Sequence, residues 1–184
     1  MILITGFEPF ANFPNNLSKS ICLNLNQVSN FSMNFKIHIL PVSWKRSLYL
    51  YKKALNSLEV DPTAVVLLGI HESNKISLEK FAINFSCGID NDNQIRTCPI
   101  SYNLPIIKKT LFPIDSLYSF LGEMMDIRIS YFPGFYLCNF IYYWALALAE
   151  NRYPVLFIHL PARGNKKEYL KKFILILRLI KFLF

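Results

Sequence analysis

Apolar positions fall along this chain in two rhythms. One is the short run closed by a turn residue. Ile2-Leu3-Ile4-Thr5 ends at Gly6, residues 35–40 alternate before Pro41, and Ala64-Val65-Val66-Leu67-Leu68 lies between Pro62 and Gly69. Residues 127–130 and 155–159 are runs of the same kind. Such runs predict strands, and an unbroken one predicts a strand buried on both faces. The other rhythm is helical. Leu48, Tyr51, Leu55 and Leu58 share one face of a helix over 45–58, and helices are also predicted over 18–28, 114–125, 137–150 and from 166 onward. Residues 8–16, rich in Pro and Asn, and residues 86–102, polar and turn-rich, read as loops; residues 76–85 read as mixed and extended. Strands alternating with helices of about 10–15 residues predict an α/β fold, a three-layer α/β/α sandwich around a mostly parallel twisted sheet. With no internal repeat and no linker, residues 1–184 are expected to form one domain.

Composition narrows the class. The 184 residues are 53% apolar, 15% aromatic and 17% charged, which excludes a disordered chain, and 6 Gly exclude a collagen-like one. The longest apolar stretch, residues 140–149, is shorter than the about 20 residues a spanning helix needs, and the last run is broken by Arg178 and Lys181. The first residues carry no basic region and reach Glu8 at once, so a cytoplasmic, soluble protein is expected. Net charge is +8, with Lys166, Lys167, Lys171, Lys172, Arg178 and Lys181 near the end of the chain. These read as the solvated face of a C-terminal helix, since no aromatic platform accompanies them; neither nucleic acid nor membrane is expected as a partner. Cys22, Cys87, Cys98 and Cys138 make no zinc spacing and are expected to be free thiols.

Chemistry in an open α/β sheet gathers at the carboxyl ends of its strands. His159 ends one predicted strand. Cys138 follows the Pro133-Gly134 turn and enters the first turn of a helix, where free N–H groups and the helix dipole favour thiolate. An imidazole beside such a thiol can protonate a leaving amine, and a carboxylate such as Glu79 can fix its tautomer. Read singly, each residue also has an ordinary structural role: a buried thiol, a hydrogen-bonded core imidazole, a carboxylate on an edge strand.

Six short motifs in order change that balance. Ile4-Thr5-Gly6-Phe7-Glu8-Pro9-Phe10, Asn16-Leu17-Ser18, Leu40-Pro41-Val42, Ser77-Leu78-Glu79-Lys80-Phe81-Ala82-Ile83-Asn84, Gly134-Phe135-Tyr136-Leu137-Cys138-Asn139 and Phe157-Ile158-His159-Leu160-Pro161 run along most of the chain. Together they resemble the pyroglutamyl peptidase I family of cysteine peptidases. The resemblance implies removal of N-terminal pyroglutamate (5-oxoproline) from peptides through a thioester acyl-enzyme. Cys138 would be the nucleophile, His159 the general base and acid, and Glu79 its orienter. It implies Phe7 and Phe10 against the flat lactam ring, with Ile70, Tyr136 and Leu137 lining the same pocket. An uncharged lactam has to be selected by aromatic faces and a few hydrogen bonds. No metal and no cofactor are implied. The implied partners are peptides carrying N-terminal pyroglutamate, with a homo-oligomer as a further option.

The chain also departs from that family. A Gly-rich loop after the third strand is here Gly69-Ile70-His71-Glu72-Ser73-Asn74, and the stretch to Glu79 is one residue shorter. An Arg that supports the site in the family is Ile89 here, while Asp92-Asn93 is kept; losing one oxyanion donor costs about 10²–10³ in rate. Ala11-Asn12 stand where the family has glycines, and the region between His159 and the last helix is trimmed. These departures set a second reading beside the first: an impaired or specificity-changed member acting as a binding or remnant protein.

Overall fold

The computed structural model describes residues 1–10, 13–25 and 33–184, so Ala11-Asn12 and the end of the helix expected over 18–28 lie outside the described residues. The first half of the chain runs β1 (Ile2–Phe7), α1 (Leu17–Leu25), β2 (Phe35–Leu40), α2 (Trp44–Asn56), β3 (Ala64–His71), β4 (Ile76–Glu79), β5 (Phe81–Ile83) and β6 (Ser86–Ile89). The second half runs β7 (Ile95–Cys98), β8 (Ile107–Lys109), α3 (Ile114–Leu121), β9 (Ile127–Ser130), α4 (Leu137–Ala149), β10 (Val155–Pro161) and α5 (Lys166–Leu183). Six strands form the central sheet in the order β2-β1-β3-β10-β4-β9. β2, β1, β3 and β10 are mutually parallel; β4 meets β10 antiparallel, and β9 runs parallel to β4.

Strand side chains alternate between two faces, and each face has its own helices. Ile4, Val66, Leu68, Leu156, Ile158 and Leu78 pack under α1, α3 and α5. Leu3, Val65, Leu67, Val155 and Phe157 pack under α2 and α4. This is the expected α/β/α sandwich on a mostly parallel sheet. The period-two rule then puts Gly69, Ser77, Glu79 and His159 on the α4 side. Helix starts are set by side chains: Ser43 Oγ accepts the Arg46 N–H, and Asn165 Oδ1 accepts the N–H groups of Lys167 and Glu168. On α5, Tyr169, Phe173, Ile176, Leu177 and Ile180 face the core, and Lys166, Lys167, Lys171, Arg178 and Lys181 face solvent. Among the described residues no helix is long and apolar enough to cross a membrane.

Three sequence expectations are corrected. Residues 86–102 are not all loop, because β6 and β7 pair as an antiparallel hairpin. Residues 76–85 divide after Glu79: β4 stays in the main sheet, and β5 leaves it to pair with β8. β3 does not stop at Leu68, since its pairing with β10 continues through Gly69↔His159 to His71↔Pro161.

Candidate active site

The sheet itself brings two predicted residues together. β10 and β4 pair so that His159 lies opposite Ser77 and Phe157 opposite Glu79. From that offset Glu79 Oε1 reaches His159 Nδ1 at 2.7 Å, with both side chains almost fully buried. The other carboxylate oxygen, Oε2, is buried without a hydrogen-bond partner among the described residues. A buried carboxylate so poorly solvated gains most from a positive partner. Burial alone would lower the His159 pKa. The charge and hydrogen bond of Cys138, then those of Glu79, outweigh it and push His159 up to about 9. With Nδ1 taken by Glu79, Nε2 is the nitrogen left to face the Cys138 sulfur.

Helix α4 delivers that sulfur. Cys138 is its second residue, and the preceding Tyr136 makes no side-chain cap, so no side-chain cap takes the helix's first N–H groups. Two residues fix the helix over the sheet. Asn139, fully buried, accepts the Ile83 N–H and donates to the carbonyls of Ile83 and Phe85. Tyr142, one turn beyond Cys138, donates to the Glu79 carbonyl at 2.7 Å. Below the sulfur lies Gly69: a Cβ there would stand 2.7 Å from Cys138 Sγ and 2.8 Å from the Phe157 ring. Only a residue without a side chain leaves room for the thiol.

Beside the thiol, Phe7, Phe10, Ile70, Tyr136 and Leu137 line one apolar slot with Asn16 and Val42. The β1–α1 turn builds its floor. Ser18 Oγ accepts the Phe7 N–H, Asn16 Oδ1 accepts from the Ser18 N–H and hydroxyl, and Asn16 Nδ2 donates to the Glu8 carbonyl. Phe10 lies against Tyr136 at 6.1 Å between ring centroids. The β6–β7 hairpin braces the slot from outside. Tyr136 donates its hydroxyl to the Ile89 carbonyl at 2.7 Å, and its ring rests on Gly88, whose φ of +135° and tight contact exclude a Cβ. Ile89 is itself exposed, so its backbone rather than its side chain serves the slot.

All eight residues singled out from the sequence thus converge: Glu79, Cys138 and His159 in one line, and the five slot residues beside the thiol. Sequence reasoning missed Asn139, Tyr142 and Gly69, and it read His71 as a solvent-facing loop residue, which the structure corrects. Asn139 follows the thiol in its motif and carried that signal, whereas Gly69 stood out only as the residue closing an apolar run and Tyr142 only as an apolar helix position. His71 stands at the end of β3, half-buried, with its ring 5.1 Å from that of His159. Among the described residues no group of three or more His, Cys, Asp or Glu is placed to hold a metal ion. The four thiols are free, and Cys22 is fully buried, which pushes its pKa far up. A thiol, an imidazolium and a carboxylate in line can supply a nucleophile and a proton donor to one reacting carbonyl.

A family model described as pyroglutamyl peptidase matches residues 1–167. The pyrrolidone-carboxylate peptidase of Halalkalibacterium halodurans is 31% identical over 170 residues, covering 88% of this chain and 84% of the relative. The crystal structure of pyrrolidone carboxyl peptidase from Thermus thermophilus superposes with a TM-score of 0.85 at 26% identity, over 96% of this chain and 98% of the other. That of Fervidobacterium islandicum gives 0.84 at 28% identity, over 97% and 95%.

Proposed function

The chain belongs to the pyroglutamyl peptidase family, and from that premise we propose how it acts. It is a cysteine peptidase that removes pyroglutamate from the N-terminus of peptides. The lactam ring enters the slot between Phe7, Phe10 and Tyr136, with Ile70 and Leu137 closing it. Cys138 Sγ attacks the carbonyl that joins the lactam to the next residue. The N–H groups at the start of α4 lie beside the developing oxyanion. His159 gives its Nε2 proton to the leaving amine as the C–N bond breaks, and a thioester to Cys138 remains. Water then attacks the thioester while His159 takes its proton. The C–S bond breaks, the thiolate reforms, and free pyroglutamate leaves. Glu79 holds the ring through Nδ1 and stabilises its charge. The reading takes residues 1–184 as one unit, because α5 closes the face of the sheet opposite the site.

One observation carries the reading. Glu79, His159 and Cys138 stand in line at the mouth of an apolar slot that also holds Phe7 and Phe10. The test is hydrolysis of a pyroglutamyl-aminocoumarin by the purified protein, with Cys138→Ala as the blank. Release that depends on Cys138 is expected. A folded wild-type protein that releases nothing would sink the proposal and leave the second, remnant reading.

A further inference from the structure

His159 is bounded on its two nitrogens by Glu79 and Cys138, and on its ring by Phe157 at 4.7 Å and His71 at 5.1 Å, the latter tilted by 32°. His71 is held at both ring nitrogens. Its Nδ1 accepts the Ser73 N–H at 3.1 Å. A ring nitrogen that accepts carries no proton, so the proton of the neutral ring is on Nε2, 2.8 Å from Ser77 Oγ. Ser77 is fully buried and also accepts from Arg128 Nε at 2.7 Å. Ser77 is the residue paired with His159 across the β10–β4 ladder. The chain Arg128–Ser77–His71 therefore starts on β9, crosses β4 and ends on β3, against the ring of His159 on β10.

We propose that His71 is a positioning residue for His159: a neutral imidazole, pinned at both nitrogens, that stacks on the working ring and holds its plane between Glu79 and Cys138. The proposal rests on the peptidase reading of this site. Burial, then the charge of His159 and that of Arg128, lower the His71 pKa, and together they outweigh a backbone hydrogen bond of His71 and the charge of Glu79, which raise it. A neutral aromatic face against an imidazolium is attractive, whereas a second cation there would repel it. His71 does not line the slot, so its effect is on orientation and not on lactam binding.

The experiment compares His71→Ala, His71→Phe and Ser77→Ala with the wild type on the pyroglutamyl-aminocoumarin. It also follows the His159 Nδ1–H proton resonance by NMR. His71→Ala is expected to lower kcat on the order of 10²-fold, the size of effect that misplacing a reacting group produces, with KM unchanged. His71→Phe restores a ring face and is expected to recover part of kcat. The Nδ1–H resonance should broaden by exchange in the Ala variant and stay sharp with Phe. Ser77→Ala, a smaller change in volume, should lower kcat in the same direction. Unchanged kcat and a sharp Nδ1–H in folded His71→Ala would overturn the proposal, as would losses in which KM, kcat and Tm move together and Phe rescues nothing. If His71→Ala does not fold, unchanged kcat in Ser77→Ala overturns it. A wild type without hydrolysis would defeat the peptidase reading alone, since the Nδ1–H resonance still reports whether His71 holds the ring.

Discussion

Position 69 decides whether the thiol and the imidazole can share a site. Phe157 beneath it is fully buried and cannot give way, so the Cβ of Gly69→Ala would push on Cys138 Sγ. Overpacking of this kind costs about 1–3 kcal/mol. The displaced sulfur should lower kcat on the order of 10²-fold, read by steady-state kinetics beside a urea denaturation curve; an unchanged kcat would mean that the sulfur finds its line by another rotamer. The charge on His159 makes a second residue-scale expectation. Its folded pKa of about 9 lies above the about 6.5 of an unfolded histidine. The folded state therefore binds the proton more tightly. The stability this contributes is complete below the unfolded value and is lost as pH rises through about 9. Acylation needs the same proton, so kcat/KM should fall along an alkaline limb over that range. Glu79→Gln should move the limb to lower pH, and a limb that stays in place would separate Glu79 from the charge of His159. Much of this was legible, because Cys138, His159 and Glu79 stand in motifs whose residue types state their chemistry. His71 was not, because its role comes from hydrogen bonds to Ser73 and Ser77 that no spacing announces.

The β6–β7 hairpin shows what pattern reading cannot reach at the scale of elements. A strand announces itself when one face is buried and its apolar residues alternate. Here Ile89 and Ile95 are exposed, and the hairpin is held by polar atoms instead. Asp90, buried at its tip, accepts the N–H groups of Trp44, Asp92 and Gln94, and Asn91 binds the carbonyls of Val42 and Pro9. These bonds tie the hairpin to the start of α2 and to the slot. Asp90→Ala leaves the buried Trp44 N–H unpaired, a loss of about 1–3 kcal/mol. It also frees the Ile89 carbonyl and Gly88 that brace Tyr136. KM should rise more than kcat falls, and the reverse split would show that the hairpin acts on the reacting groups and not on the slot. The strands of the sheet's centre and the long helices were readable for the opposite reason. β1, β3 and β10 are apolar on both faces, and the helical faces of α2 and α5 repeat with the period of the helix. Strand direction leaves no such trace, so the antiparallel setting of β4, which brings Glu79 within reach of His159, emerged only from the fold.

Across the whole molecule, the site lies on one face of the sheet while α1, α3 and α5 seal the other. Stability comes from these two apolar layers more than from charge. The ion pairs Arg46–Asp92, Lys75–Asp126 and Arg152–Asp61 are all largely exposed, and such pairs are worth about 0–1 kcal/mol each. Against them stands a net charge of +8, whose self-repulsion works against the compact state. Salt screens both effects. Raising it from about 0.01 M to about 0.15 M shortens the Debye length from about 30 Å to about 8 Å. That removes most of the repulsion between distant cations of α5 and the rest of the surface, but little of the attraction within pairs at contact distance. Thermal unfolding should therefore move to higher temperature as sodium chloride is added, by a few degrees, since about 1 kcal/mol corresponds to about 2–4 °C in a chain of this size. A Tm that falls with salt would reverse the ranking and show that the surface pairs contribute more than the excess charge costs. The sign also bears on assembly: a surface limited by its own positive charge should associate, if it does, more readily as salt rises, which sedimentation over the same range of concentrations would register.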